Sequence, residues 1–253
     1  MADFRSRVLA GETLIGSFSD LGSPLAVELL GRAGMDWAVL DLEHGAATEA
    51  DLLALLYAAA STPMAPIVRP PSAERLRVGR ALDLGAAGIM LPQLQSIEQV
   101  REAVSYLRYP PVGVRGVALR TRGAGLGSVA HGDVARVVNE RIVGIVQIES
   151  AGAVAAAGEI ASLEEVDVLF VGPADLSHTL GVPGRFDDRV YLDALQTVVA
   201  ATQRHGKAAG ILLYDAAVLD RHVDLGFRFI GLGSEGSFVS AGAGEMLRAA
   251  GRR

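Results

Sequence analysis

Polar side chains stand where several apolar runs of this sequence end. The run VGIVQIE (143–149) closes on Glu149, and Asp175 follows the run DVLFVG (167–172). Two carboxylates from neighbouring strands make a hard-oxygen site for Mg²⁺ or Mn²⁺, with coordination positions left for water and substrate. Either residue could instead cap the following helix or pair with an arginine, so each one alone leaves both interpretations open.

An arginine and a histidine stand at two other such ends. Arg69, in PIVRP (66–70), offers a planar fork for a carboxylate or phosphate, or else forms a structural ion pair. His44 lies in DLEHG beside Asp41 and Glu43, so it is a candidate base held in one tautomer by a carboxylate. Metal, arginine and base together suit an enolate formed from a 2-oxo acid. The base would contribute ~10²–10⁴-fold.

The spacing of the polar residues indicates which way they point. Side chains alternate between the two faces of a strand, so Gln147 and Glu149 share one face and Ile148 takes the other. We expect the shared face to line the mouth of a barrel and Ile148 to face the helices. Gln93 is a further polar residue just past a strand end.

The elements that must position these residues alternate along the chain. Eight short apolar runs are separated by amphipathic helical patterns, which favours parallel strands with right-handed crossovers. This predicts one (β/α)8 barrel over residues 1–253, with active groups at the carboxyl ends of the strands. An open doubly wound sheet is the alternative, but no GxGxxG follows the first run. The predicted strands are 13–18, 37–42, 66–70, 88–92, 143–149, 167–172, 208–213 and 227–233.

Helix boundaries are also marked in the sequence. Thr48 with Asp51 resembles a capping box, Ser96 precedes another helix, and Gly85 and Gly206 stand where helices should stop. A long segment rich in Gly and Arg (109–133) reads as a functional loop after the fourth strand. The clearest predicted helices are 49–60, 72–85, 96–107, 191–206 and 237–251.

Composition narrows the class of protein. The chain of 253 residues is half hydrophobic and has no cysteine, which removes disulfides, zinc–thiolate sites and thiol nucleophiles. Its net charge of −6 argues against nucleic acid or an anionic membrane as the main partner. The charged start, without an apolar run near 18 residues, predicts a cytoplasmic protein.

The chain resembles the HpcH/HpaI aldolases, metal-dependent class II pyruvate aldolases such as 4-hydroxy-2-oxoheptanedioate aldolase and 2-dehydro-3-deoxyglucarate aldolase. The resemblance implies a TIM barrel and a homo-oligomer, a trimer or hexamer, in which the last helix (about 236–251) packs on a neighbouring subunit. The matching stretches run in order along nearly the whole chain: DWAVLDLEHG (36–45), PIVRP (66–70), ALDLGAAGIMLPQLQSIEQV (81–100), YPPVGVRGV (109–117), VQIES (146–150), LFVGPADLSHTLG (169–181) and GILL (210–213).

The resemblance also implies roles for individual residues. Glu149 and Asp175 would bind Mg²⁺, Mn²⁺ or Co²⁺, Arg69 would stabilise the enolate, and His44 supported by Asp41 would be the acid and base. An aspartate matching Asp83 would raise the basicity of that histidine. Asp83 falls at the wrong end of its own barrel, so this role requires contact across a subunit interface. The implied substrate-binding residues are Arg69, Gln147, Gly172, Pro173, Ala174, Asp175 and Leu212.

Two stretches depart from the family pattern. RTRGAGLG (120–127) lacks an expected aromatic residue, and GLGSE (231–235) carries Ser-Glu where an Asp is expected. We expect both to shape the pocket for the acceptor aldehyde, so the acceptor stays open.

The predicted function is reversible cleavage of 4-hydroxy-2-oxo acids to pyruvate, or hydroxypyruvate, and an aldehyde through a metal-stabilised enolate. A Schiff-base aldolase needs a lysine near the substrate carbonyl, and the only lysine, Lys207, falls at the opposite end of the barrel. A CoA-ester lyase, another barrel enzyme acting on 2-oxo acids or phosphoenolpyruvate, and a catalytically silent barrel that binds an oxo acid remain as alternatives.

Overall fold

Eight parallel strands close into a barrel in the computed structural model, which describes residues 4–252. Each strand pairs with the next in chain order, and the eighth pairs with the first. The predicted (β/α)8 barrel is confirmed and the open doubly wound sheet is wrong. The strands are β1 (Leu14–Ser19), β2 (Trp37–Asp41), β3 (Ala65–Arg69), β4 (Gly88–Leu91), β5 (Val143–Ile148), β6 (Val168–Val171), β7 (Ala208–Leu213) and β8 (Phe227–Ser234).

Helices pack around this barrel. The five helices singled out in the sequence begin and end within three residues of α3, α4, α5, α10 and α12 below. None of the helices in the described range 4–252 is both long and apolar enough to cross a membrane. The helices are α1 (Phe4–Leu9), α2 (Pro24–Arg32), α3 (Leu52–Ala60), α4 (Arg75–Leu84), α5 (Ile97–Ser105), α6 (Val134–Arg141), α7 (Ala151–Ala155), α8 (Ala157–Ala161), α9 (Pro173–Thr179), α10 (Arg189–Arg204), α11 (Leu219–Leu225) and α12 (Glu235–Ala249), with 3-10 turns at Gly125–Gly127, His131–Asp133 and Ala216–Val218.

Most of the predicted helix boundaries are confirmed. The Ser96 hydroxyl caps α5 by accepting from the Gln99 N–H, and Gly85 ends α4 with a φ of 104°. The predicted capping box at Thr48 is wrong, because α3 begins only at Leu52. The Thr48 N–H and hydroxyl both donate to the Asp51 carboxylate, and these two hydrogen bonds close a separate turn ahead of the helix.

The inside of the barrel is filled by aromatic rings. The Trp37 ring stacks on Phe229 at 4.2 Å, and the edge of Phe170 meets both. A side chain at Gly16 would overlap the Trp37 ring, since an added Cβ would lie 2.1 Å from it. The rings therefore form a solid floor beneath the carboxyl ends of the strands.

The single lysine lies at the amino end of the barrel. Lys207 immediately precedes β7, and its ammonium donates to the Leu163 carbonyl oxygen at 3.1 Å. The buried Asp167 holds the same end together through Arg5 and Arg108. Because the carboxyl ends of the strands are on the opposite side, Lys207 cannot supply a Schiff base there.

The long segment 109–133 is not a loop after the fourth strand. It joins α5 to α6, and its middle packs on the end of α4, where the Arg122 guanidinium donates to the Leu84 carbonyl oxygen and the Gly123 N–H donates to the Asp83 carbonyl oxygen. The expectation that residues 120–127 shape the acceptor pocket is therefore wrong within this chain. Only a short link (92–96) connects β4 to α5, so the long segment returns on the amino side of the barrel.

Candidate active site

A cavity of about 380 Å³ opens at the carboxyl ends of the strands. Every predicted site residue except Asp83 lines it, which confirms that the strand ends converge there. The predicted residues that line this cavity are Asp41, His44, Arg69, Gln147, Glu149, Gly172, Pro173, Ala174, Asp175 and Leu212.

Arg69 contacts the carboxylates of Asp41 and Glu43. Asp41 and Arg69 are direct partners in the β2–β3 register, and the guanidinium donates to both Asp41 oxygens, from Nε at 2.9 Å and from Nη2 at 2.6 Å. Nη1 lies 3.2 Å from Glu43 Oε2. Burial lowers the pKa of Arg69, but Asp41, Glu43 and Glu149 outweigh it and raise that pKa overall. Arg69 therefore stays charged in a fixed orientation.

Asp41 does not hold the His44 ring, which corrects the predicted pairing. Asp41 Oδ1 instead accepts hydrogen bonds from the backbone N–H groups of Glu43 and His44. The Asp41 carboxylate also accepts from the Arg69 guanidinium. The carboxylate next to the imidazole is that of Glu43, whose Oε2 lies 3.9 Å from His44 Nε2. The His44 side chain is 65% exposed, so it reaches over the cavity from its rim. The sequence places Glu43 in DLEHG, but this pattern alone does not assign it to the site.

Gln147 and Glu149 share the inner face of the barrel, as their spacing predicts. The Gln147 amide donates to Glu149 Oε1 at 2.6 Å, while Ile148 packs in the outer core. The Gln147 Oε1 atom is buried and has no hydrogen-bond partner among the described residues. At the end of β6, a Cβ on Gly172 would lie only 2.9 Å from Glu149, so only glycine allows the two strand ends to approach this closely.

The charges around Glu149 fit a divalent cation. Burial, followed by the charges of Asp175 and Glu43, raises the pKa of Glu149 to about 7. A cation held between Glu149 and Asp175 would offset this repulsion, and the orphan Gln147 oxygen is a further hard donor. Residues 4–252 contain no cluster of three or more histidine, cysteine, aspartate or glutamate side chains that could hold a metal ion.

Gln93 links two parts of the site through a strained backbone. Its φ is 53°, in the left-handed region that non-glycine residues adopt at a cost of roughly 1–2 kcal/mol. In this conformation its side-chain amide donates to Glu43 Oε1 at 2.6 Å, and a hydrogen bond from its backbone to Glu149 partly opposes the rise in the pKa of that carboxyl. Strain held by surrounding contacts is common at functional sites.

The first turn of α9 presents free backbone donors to the cavity. Gly172 is the N-cap, so the alternative interpretation of Asp175 as the cap is wrong. The first hydrogen bond of this helix runs from the Leu176 N–H to the Gly172 carbonyl oxygen. The N–H groups of Ala174 and Asp175 come before this bond in the chain, so they have no acceptor within the helix. They can receive a substrate carboxylate.

Asp83 lies outside the cavity. It is near the end of α4 and accepts from Arg115 Nη2 at 2.8 Å, in a region lined by Arg75 and Arg80. Asp83 thus does not reach His44 within this chain, as its position late in the predicted helix 72–85 indicates.

Several lining residues were not identified from the sequence. Asp20 follows β1 just as the predicted carboxylates follow their strands, and it accepts the Gly236 N–H at the start of α12. The same rule would have found it. The remaining members are Phe18, Phe170, Tyr214, Gly233, Ser234 and Ser237. Gly233 and Ser234 belong to the GLGSE stretch, which therefore lines this cavity, while its role toward the acceptor stays a prediction.

Known proteins resemble this chain over nearly its whole length. A model of the HpcH/HpaI aldolase/citrate lyase family matches residues 14–241. A hydroxypyruvate/pyruvate aldolase of Paraburkholderia phytofirmans is 40% identical, over 91% of this chain and 90% of its own. A 5-keto-4-deoxy-D-glucarate aldolase of Klebsiella pneumoniae is 37% identical, over 94% of this chain and 93% of its own. A solved HpcH/HpaI aldolase/citrate lyase family protein from Burkholderia cenocepacia is 34% identical, with a TM-score of 0.92 over 99% of both chains.

The raised pKa of Glu149 predicts how the stability of the metal-free protein depends on pH. The folded state binds this proton with a pKa of about 7, against 4.5 ordinarily. The contribution of Glu149 to the free energy of unfolding is therefore greatest below the ordinary pKa and is lost as pH rises through the folded value. Urea unfolding with chelator should show this decline in the wild type and a smaller one in Glu149→Gln. An identical decline in both proteins would contradict the assignment.

Proposed function

The chain belongs to the HpcH/HpaI aldolase/citrate lyase family, and we propose that it cleaves 4-hydroxy-2-oxo acids reversibly into pyruvate or hydroxypyruvate and an aldehyde. It is a carbon–carbon lyase of the class II pyruvate aldolase type, as its relatives at 34–40% identity are aldolases. The observation that carries the substrate proposal is the convergence of Arg69 with Glu149 and Asp175 on one cavity.

The chain offers donors for each oxygen of a 2-oxo acid. Arg69 makes two hydrogen bonds to Asp41 and an ion pair with Glu43, which leaves further guanidinium N–H groups to donate to the 2-oxo oxygen. The backbone N–H groups of Ala174 and Asp175 would receive the carboxylate. These donors are oriented before the substrate arrives, so stabilising the developing negative charge requires little reorganisation.

A divalent cation held by Glu149 and Asp175, which we propose is Mg²⁺, Mn²⁺ or Co²⁺, would supply positive charge to the developing enolate oxygen. The family is divalent-metal dependent in general. Gln147 positions Glu149 through their 2.6 Å hydrogen bond.

His44 is the group placed to move the proton. In the cleavage direction its imidazole accepts the 4-hydroxyl proton as C4 becomes the aldehyde carbon. The electrons of the C3–C4 bond form the C2–C3 double bond as the 2-oxo group becomes the enolate oxygen, and transfer of the proton from the His44 imidazolium to C3 releases pyruvate. Glu43, at 3.9 Å, would stabilise the imidazolium that forms.

Pyruvate release tests this proposal. With a 4-hydroxy-2-oxo acid as substrate, we expect EDTA to abolish release and Mg²⁺ or Mn²⁺ to restore it. Arg69→Ala should lower kcat by about 10²–10³-fold, because the enolate oxygen loses its oriented donors. Arg69→Lys keeps the charge without the fork and serves as the matched control, with an intermediate rate. Activity indifferent to chelator would contradict the metal requirement, and a near-wild-type Arg69→Ala would contradict the role of Arg69.

The last helix supports a further proposal about assembly. Of the fifteen residues of α12 only Glu235 is buried, and Val239, Met246 and Leu247 are 63%, 73% and 47% exposed. Leu25 and Leu29 on α2, the helix that follows the neighbouring strand β1, are also mostly exposed. Exposed apolar surface of this extent is typical of an interface. We propose that α12 packs on a neighbouring subunit of a trimer or hexamer.

Light scattering after size exclusion would measure the assembly. We expect the mass of a trimer or hexamer of the 26.3 kDa chain, and a smaller assembly when Val239→Asp and Met246→Asp place charges on α12. Ala249→Asp, at the end of the same helix, controls for added charge. A wild-type mass of one chain would contradict this proposal.

A further inference from the structure

A second cavity, of about 340 Å³, lies beside the active site. The two cavities share Pro173, Leu212 and Tyr214 as lining residues, so they meet along a common wall at the ends of β6 and β7. The second cavity therefore adjoins the space in which the reacting carbons would lie.

Aromatic rings line this second cavity. The ring centroid of Phe186 lies 5.5 Å from that of Tyr191 and 6.0 Å from that of Tyr214. Val218 and Ile211 add aliphatic surface. Such a surface favours an aromatic or branched apolar group, because contact with the rings adds to the removal of apolar area from water.

Tyr214 stands at the boundary between the cavities. It directly follows β7 and is 60% exposed, so neighbouring side chains do not clamp it. Its pKa is raised by burial and then by the charge of Asp175, while the pKa of Tyr191 is raised by burial and then by Tyr214. Tyr214 thus lines the active-site cavity on one side and the second cavity on the other.

The charges disfavour an acceptor with a second carboxylate. Among the described residues that line the active-site cavity, Arg69 is the only arginine or lysine, and Asp41 and Glu43 already engage it. Asp20 adds a negative charge at the far rim. In the second cavity Arg221 is accompanied by both Asp187 and Asp215. An anionic acceptor would thus enter a region without excess positive charge.

We propose that the second cavity is a subsite for the distal part of the acceptor aldehyde, and that the preferred acceptor is uncharged with an aromatic or branched apolar body. The inference rests on the proposed aldolase function. It selects an acceptor class from the chemistry of Phe186, Tyr191 and Tyr214, residues outside the reacting centre.

A panel of acceptors tests the subsite. With pyruvate as donor, kcat/KM is measured for acetaldehyde, phenylacetaldehyde and succinic semialdehyde. We expect phenylacetaldehyde to exceed succinic semialdehyde by about tenfold or more. Val218→Phe fills the second cavity and should lower the ratio of phenylacetaldehyde to acetaldehyde kcat/KM by about tenfold. Val190→Phe makes the same change at a half-exposed position of α10 outside the lining and should leave that ratio at the wild-type value.

The outcomes separate the two proposals. Failure of the wild type to use acetaldehyde in the presence of Mg²⁺ or Mn²⁺ would overturn the aldolase proposal. Turnover of acetaldehyde with a preference for succinic semialdehyde, or with a ratio unmoved by Val218→Phe, would overturn the subsite alone. Should Val218→Phe fail to fold, Phe186→Leu at a 38% exposed position removes the ring and should lower the same ratio.

Discussion

Repulsion between carboxylates at the mouth of the barrel is the constraint on which the rest of the site depends. Asp41 and Glu43 are neutralised by the guanidinium of Arg69, which lies between them at hydrogen-bond distance. Within residues 4–252, no guanidinium or ammonium group pairs with Glu149 or Asp175 in this way, and burial together with the charges of Asp175 and Glu43 raises the pKa of Glu149 to about 7. A bound divalent cation would offset this second repulsion, so its binding would lower the electrostatic free energy of the site.

Rigid elements hold these charges in place. The direct pairing of Asp41 with Arg69 in the β2–β3 register sets the arginine, and alternation along β5 aims Gln147 and Glu149 inward over the aromatic floor. Gly172 lets β6 approach Glu149, while the strained Gln93 connects Glu43 to the same carboxylate. Such local costs are tolerated because the surrounding barrel is stable enough to impose them.

Strand periodicity and strand-end chemistry were enough to predict the barrel, the inward face of β5 and part of the cavity lining. The polar lining residues Asp41, His44, Arg69, Gln147, Glu149 and Asp175 followed from strand ends, whereas Gly172, Pro173, Ala174 and Leu212 followed only from the family resemblance. Side-chain partners were not predictable in the same way. The sequence predicts that Asp41 holds His44. In the structure Asp41 binds Arg69 instead, 28 residues away along the chain, because the β2–β3 register places the two residues side by side. The path of segment 109–133 and the aromatic wall around Tyr214 also depend on packing between distant elements.

The central claim is that Arg69 and a cation at Glu149 and Asp175 stabilise an enolate of the donor. Exchange of the methyl protons of pyruvate in D₂O, followed by NMR without any aldehyde, tests it most directly. Exchange should be rapid with wild-type protein and Mg²⁺ or Mn²⁺, and should be lost with EDTA and in Arg69→Ala. Exchange that is absent from the metal-loaded wild type, or equally fast with EDTA, would contradict the claim.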